Sequence, residues 1–171
     1  IQQCGTMTCS GGSCGGTPSD CSEETQVIYQ VDKDFNLLSF DPRHDANTFH
    51  VIGALHCPAG PPLPGADSPA TPFSMSVDRE GNAWVLYNSG QIFNVSTTDA
   101  SCTLSAFAPR QSAGGRTWDL FGMGFVSDTA GGDTEKLWLG GGNADAQVLG
   151  DLGYINPPSS FSINRVGPMS T

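Results

Sequence analysis

The chain has 171 residues with 22 glycines and 12 prolines, and only 14% of its residues are charged, a profile typical of short strands joined by many turns. Seventeen acidic residues against seven lysines and arginines give a formal net charge of −10, which repels phosphate backbones and argues against nucleic acid as a partner. No apolar run approaches the about 18 residues of a membrane-spanning helix, so we expect no membrane span.

The first 24 residues are rich in cysteine, glycine, serine and threonine and have little apolar content to bury. We interpret them as an N-terminal tether or a disulfide cap. The even cysteine count predicts an oxidising compartment, which places the protein outside the cell or on its outer surface, and leaves the pairing open. The disulfide candidates are Cys4, Cys9, Cys14, Cys21, Cys57 and Cys102.

Three segments of the remaining chain resemble one another. Residues 37–42, 92–97 and 152–157 each begin with an apolar residue, have another at the fourth position and continue into a turn former. A further strand-like run follows each of them, so each predicts a hairpin.

A second signature precedes two of these hairpins. In residues 73–77 and 121–125 apolar residues alternate with small ones, and each run is followed by a turn and a tryptophan-containing strand. The order predicts four antiparallel strands in about fifty residues, which is one β-propeller blade. About three such repeats are predicted, at residues 25–57, 72–108 and 120–171, with residues 27–31 in the place of the tryptophan strand in the first.

These phrases, above all residues 73–85 and 152–156, resemble the blades of bacterial secreted β-propellers with NHL-like and Kelch-like repeats. From residue 20 onward the chain is similar to uncharacterised secreted or lipoprotein propellers of myxobacteria-like bacteria. The resemblance implies an all-β, β-propeller-type fold and brings no activity with it. Because propellers close with four or more blades, three repeats predict a fragment of a larger propeller, a homo-oligomer that shares one ring, or an open sandwich of stacked repeats.

One tryptophan differs from those in the repeated strands. Trp84 and Trp138 occupy equivalent strands and are interpreted as packing residues, whereas Trp118 follows Arg116 and precedes Asp119 in a predicted loop. An aromatic face between two charges suits a sugar ring or a peptide. The alternative is a tryptophan folded back over the edge of a blade.

The acidic segment 128–135 offers three carboxylates with glycine flexibility, on Asp128, Asp133 and Glu135. Carboxylate oxygens are the ligands that calcium prefers, so this segment is the candidate calcium site. A solvated acidic turn is the alternative, and no other cofactor is expected.

No nucleophile elbow and no dinucleotide fingerprint occurs in the sequence, which favours a binding module over an enzyme. The leading hypothesis is a secreted or cell-surface binding or scaffolding module for a glycan or a protein. The alternatives are a propeller hydrolase or lyase whose residues come from several blades, and a structural subunit of a surface assembly or fibre.

Overall fold

The computed structural model describes residues 8–10, 13–15, 27–44, 48–129, 132, 134–141 and 150–169. These residues form 15 β-strands and no helix, so the all-β prediction is confirmed, and they include no helix that can span a membrane. A first hairpin has β1 (Thr8–Ser10) and β2 (Ser13–Gly15), and a second has β10 (Gln111–Ala113) and β11 (Arg116–Trp118).

Three larger antiparallel sheets carry the rest of the strands, each in chain order. The first sheet has β3 (Ile28–Val31), β4 (Asn36–Phe40) and β5 (His50–Ala54). The middle sheet has β6 (Pro72–Val77), β7 (Ala83–Tyr87), β8 (Ile92–Val95) and β9 (Cys102–Leu104). The third sheet has β12 (Phe121–Ser127), β13 (Glu135–Gly141), β14 (Asp151–Asn156) and β15 (Ser160–Pro168). The described strands form no closed barrel or ring.

Turn chemistry explains why the hairpins form where they do. In the first sheet Asp32 Oδ1 accepts a hydrogen bond from the Asn36 amide at 2.9 Å, and in the middle sheet Asp78 Oδ1 accepts one from the Asn82 amide at 2.8 Å. Gly81 completes the second turn with a φ of 88°, a conformation that glycine adopts without strain. The same aspartate-based turn therefore joins β3 to β4 and β6 to β7.

The middle sheet is buried on both faces. All five residues of β7 are buried, and because side chains alternate along a strand they belong to two different cores. Trp84 and Leu86 face the third sheet, whereas Ala83, Val85 and Tyr87 face the first sheet.

Two hydrophobic cores thus separate three layers in the order first, middle and third sheet. The third-sheet core contains Trp84, Leu86, Ile92, Phe107, Trp118, Phe121, Phe125, Leu137, Leu139 and Ile155. The first-sheet core contains Leu37, Leu55, Ala83, Val85, Tyr87, Phe93, Val95 and Ala100. Direct hydrogen bonds reinforce the contact between β6 and β12, because Ser74 Oγ donates to the Phe121 carbonyl at 2.7 Å.

A disulfide joins Cys57, in the connection after the first sheet, to Cys102 at the start of β9. It settles the pairing of these two cysteines, which the sequence left open, and is compatible with an oxidising compartment.

The other four disulfide candidates remain predictions. Cys4 and Cys21 lie outside the described residues. Cys9 and Cys14 are opposite one another in the β1–β2 ladder, and the structure describes only their backbone.

Candidate functional site

A cleft of about 650 Å³ opens between the middle and third sheets, where the β6–β7 turn, the start of β13 and the β14–β15 turn meet. The lining combines carboxylates, a guanidinium, amides, hydroxyls and a tryptophan. Its residues are Asp78, Arg79, Glu80, Asn82, Trp84, Asn94, Thr103, Thr134, Glu135, Pro157 and Pro158.

Asp78 organises one wall of this cleft. Its Oδ1 accepts from the Asn82 amide in the turn, while its Oδ2 accepts from Trp84 Nε1 at 2.9 Å. The carboxylate is almost completely buried, and these bonds offset the cost of its burial. Asp78 therefore fixes both the turn and the tryptophan edge.

Arg79 and Glu135 connect the two sheets across the floor of the cleft. The Arg79 amide donates to Glu135 Oε1 at 2.9 Å, and its guanidinium donates to Ser127 Oγ at 3.0 Å. Burial raises the pKa of the Glu135 carboxyl above its ordinary value, while the Arg79 amide and charge oppose that rise. The pair is thus a buried ionic link between sheets.

One donor of this link has no hydrogen-bond partner among the residues that the structure describes. Arg79 Nε is buried and forms an ion pair with Glu135 Oε2 at 3.7 Å, a distance beyond ordinary hydrogen-bond length. This donor is covered by the protein and relies on the charge of Glu135 rather than on a hydrogen bond.

A polar row leads into the cleft across the middle sheet. Ser76, Trp84, Asn94 and Thr103 are consecutive cross-strand partners on β6, β7, β8 and β9. Their shared face contains a tryptophan flanked by an amide and hydroxyls. These groups both donate and accept hydrogen bonds, and the arrangement suits a neutral, hydroxyl-rich ligand.

Trp118, one of the predicted ligand residues, lies in a strand and not in the loop expected from the sequence. It lies in β11 and is completely buried, with its ring 6.1 Å from that of Phe121. A Cβ at Gly153 would come within 2.9 Å of the indole, so close packing requires glycine there. The tryptophan folds back into the third-sheet core, which matches the alternative weighed from the sequence.

Arg116 forms part of a clamp on a buried carboxylate. Arg116 Nε and Arg165 Nε each lie 2.8 Å from Asp151 Oδ2, and the second guanidinium also donates to Oδ1 at 3.1 Å. Asp151 is completely buried, and the hydrogen bonds from Arg165, with the charges of both arginines, lower its pKa. The clamp ties β11 to β14 and β15.

Asp119 has a different partner again. It accepts from Arg110 Nε at 3.1 Å, and both residues line a separate cleft of about 540 Å³ with Leu63 and Leu120. The structure therefore gives Arg116, Trp118 and Asp119 separate environments, and a joint ligand site from these three residues stays a prediction.

The candidate calcium ligands are only partly described. Asp128 pairs with Lys136 Nζ at 2.8 Å, Glu135 pairs with Arg79, and Asp133 lies outside the described residues. Within the described part of the chain no group of three acidic, histidine or cysteine side chains is placed to hold a metal. The calcium site stays a prediction.

Sequence reasoning missed the cleft itself. Asp78 and Glu135 were recognisable as acidic residues near turns, but nothing in the sequence pairs Arg79 with Glu135, which lies 56 residues away. The usable signal was the position of both residues at the turn after the first strands, β6 and β12, of the middle and third sheets.

Comparison with known proteins yields no match, whether to family models, to curated proteins or to solved structures.

Proposed function

We propose that the protein is an exported binding module built from β-propeller-type repeats. Two four-stranded antiparallel sheets and a three-stranded one, stacked face to face through apolar cores, support the repeat interpretation. The Cys57–Cys102 disulfide supports export to an oxidising environment.

The ligand that the cleft fits best is a neutral glycan. The observation that carries this proposal is the Trp84–Asn94–Thr103 row, which brings indole, amide and hydroxyl groups together in one cleft. Sugar hydroxyls both donate and accept, so they match amide and hydroxyl groups. The volume falls within the range of about 300–1,000 Å³ usual for small-ligand sites. Asp78, Glu80 and Glu135 disfavour an anionic ligand.

Binding to an oligosaccharide array tests the proposal. Wild-type protein should retain neutral oligosaccharides in preference to sialylated or sulfated ones. Replacing Asn94 with alanine should weaken binding about tenfold, the effect of losing a hydrogen-bonding group of about 1.4 kcal/mol. Asn164→Ala is the matched control, because Asn164 is an exposed asparagine on β15 outside the cleft. Equal binding by both variants, or none above background, contradicts the glycan proposal.

A hydrolase is the second candidate function, and one observation favours it. Glu135 is a half-buried carboxyl with a raised pKa, and it shares a cleft with Asp78 and Glu80 from the preceding repeat. Glycoside cleavage uses two carboxyl groups that flank the sugar, and a carboxyl with a raised pKa can serve as the general acid of such a pair. The ionic link to Arg79 and the hydrogen bonds on Asp78 favour binding instead.

Turnover separates the two candidates. Incubating the protein with any glycan retained on the array and following reducing ends should show no release if the cleft only binds. Release that disappears in Glu135→Gln, with glycan retention preserved, would establish the hydrolase.

A further inference from the structure

The first sheet leaves one apolar face open. Ile28 is 52% exposed and Val51 is 67% exposed, and β-register places both on the face that also carries Phe40. The ring of Phe40 meets that of exposed Phe49 at 5.3 Å. This face, the first-sheet open face, points away from the middle sheet.

The third sheet also has an open face. Val126 is 51% exposed, and Trp138 contacts Tyr154 with ring centroids 5.4 Å apart. Nothing lies within 4 Å of where a Cβ at Gly124 would be, so the space beside the tryptophan is open. Lys136, the cross-strand partner of Val126, holds its Nζ 4.9 Å from the centre of the Tyr154 ring on the same face. These residues, on the side away from the third-sheet core, are the third-sheet open face.

Tyr29, Trp84 and Trp138 occupy equivalent strands of the three sheets, and each lies on the side that faces along the stacking order, from the first sheet towards the third. Tyr29 of the first sheet packs into the first-sheet core, and Trp84 of the middle sheet packs into the third-sheet core. In both cases the next sheet along the chain covers the aromatic residue. Trp138 occupies the equivalent strand of the third sheet and lies on its open face. The equivalent faces of the first and middle sheets are each covered by the next sheet. The third-sheet open face is therefore the one face of this kind, among the described sheets, that no sheet covers.

The first-sheet open face is the opposite kind of surface. In the middle and third sheets the corresponding side carries the apolar residues that cover the preceding sheet, such as Val85 and Leu137. Ile28 and Val51 occupy that side of the first sheet. The third-sheet open face thus corresponds to the side that carries the aromatic residue, and the first-sheet open face to the side that covers it, in each sheet-to-sheet contact inside the molecule.

We propose that the third-sheet open face binds the first-sheet open face of a second copy of this chain, head to tail. The contact continues the stacking seen between the first, middle and third sheets, and it removes exposed valine, isoleucine and phenylalanine from water. A head-to-tail contact uses different faces on the two partners, so it propagates into a ring or a filament. This assembly does not depend on what the cleft binds.

Charge sets the conditions under which copies associate. Each chain carries a formal net charge of −10, so copies repel one another at long range, and added salt screens that repulsion. The apolar contact is not weakened by salt. Assembly should therefore strengthen as salt rises from low to physiological concentration and beyond.

Light scattering coupled to size exclusion tests the proposal on the full chain. The wild type should show masses that are multiples of 17.8 kDa and that increase with protein and salt concentration. Val51→Lys blocks one open face and Val126→Lys blocks the other, and each should lower the association constant at least tenfold. Leu104→Lys is the control, because Leu104 is 51% exposed but lies at the edge of the middle sheet.

Mixing the two blocked variants gives the decisive result. Each retains one intact face, so an equimolar mixture of Val51→Lys and Val126→Lys should form a one-to-one dimer and nothing larger. Circular dichroism and the thermal midpoint establish that both variants are folded. A wild type that stays monomeric at high protein and salt concentration overturns the proposal, as does a mixture that stays monomeric or assembly by Val51→Lys alone.

Discussion

The strands β3 in the first sheet and β7 in the middle sheet begin from similar sequence and reach different environments. Both are short apolar segments, and each is joined to the next strand by a tight turn that ends in a residue with positive φ. All of β7 is buried, whereas β3 alternates between exposed and half-buried residues. Because β3 carries a polar Gln30 whereas β7 is apolar throughout, the burial of each strand follows both from its own hydrophobicity and from the sheets stacked on either side of it.

The largest expected difference between these sheets is in the free energy of unfolding that is lost when one side chain is truncated. Phe93 is completely buried in β8, and its ring lies 5.2 Å from that of Tyr87. Replacing it with alanine should lower the free energy of unfolding by about 3–5 kcal/mol. The control Val51→Ala on the first-sheet open face should change it by less than about 0.5 kcal/mol. Urea denaturation at low salt measures both, and equal losses would contradict the layered core.

The link between the first and middle sheets gives the next effect. Cys57 and Cys102 close a segment of 45 residues, for which loop entropy gives a stabilisation of about 4 kcal/mol. The Cys57→Ser and Cys102→Ser double variant should lose about this much in urea. An unchanged urea midpoint would mean that the packing of the two sheets alone holds the connection.

The third sheet relies on a charge clamp that the first sheet lacks among its described residues. Asp151→Asn should cost about 3 kcal/mol at neutral pH, because two guanidinium groups lose their shared carboxylate. The pKa of Asp151 is lowered from its ordinary 3.8, first by hydrogen bonds from Arg165. The stabilisation is therefore complete above that value and is lost as the pH falls through the folded-state pKa.

Thermal unfolding of wild type and Asp151→Asn across pH 2–7 checks this. The two curves should be separate at neutral pH and converge in acid. A constant separation down to the lowest pH would show that Asp151 does not act through its charge.

The smallest expected difference in stability is between the two aspartate-based turns, the Asp78 turn of the middle sheet and the Asp32 turn of the first sheet. Asp78→Ala should cost about 1–2 kcal/mol, because the Asn82 amide and buried Trp84 Nε1 lose their acceptor. Asp32→Ala removes the equivalent turn bonds near the surface and should cost less, since water replaces them. Tryptophan emission and the thermal midpoint report both changes. A larger loss for Asp32→Ala would contradict the role assigned to burial.

Local sequence patterns predicted those features of the fold that depend only on residues close together in the chain. Alternation and turn formers predicted the tryptophan strand around Trp84, the Asp78–Asn82 turn and the all-β class. The β10–β11 hairpin escaped prediction because Gly114 and Gly115 were interpreted as loop rather than as the turn between two three-residue strands. The sequence left Trp118 open between a ligand platform and a side chain folded over a blade edge, because Asp151, the partner of its neighbour Arg116, comes from a distant strand.

The candidate site was less predictable than the fold. The cleft forms only when the middle and third sheets stack, so the Arg79–Glu135 link depends on packing between sheets that no local period encodes. The Cys57–Cys102 pairing is of the same kind, because six cysteines allow many pairings and only the stacked sheets select this one.

Amide hydrogen exchange followed by NMR tests the central claim, that the middle sheet is enclosed by the other two. The amides of β7 should exchange only through global unfolding, while those of β3 should exchange through local opening at least tenfold faster. This result would confirm a middle layer protected on both faces. Equal protection of β3 and β7, at low salt where the chain is monomeric, would contradict the layered arrangement.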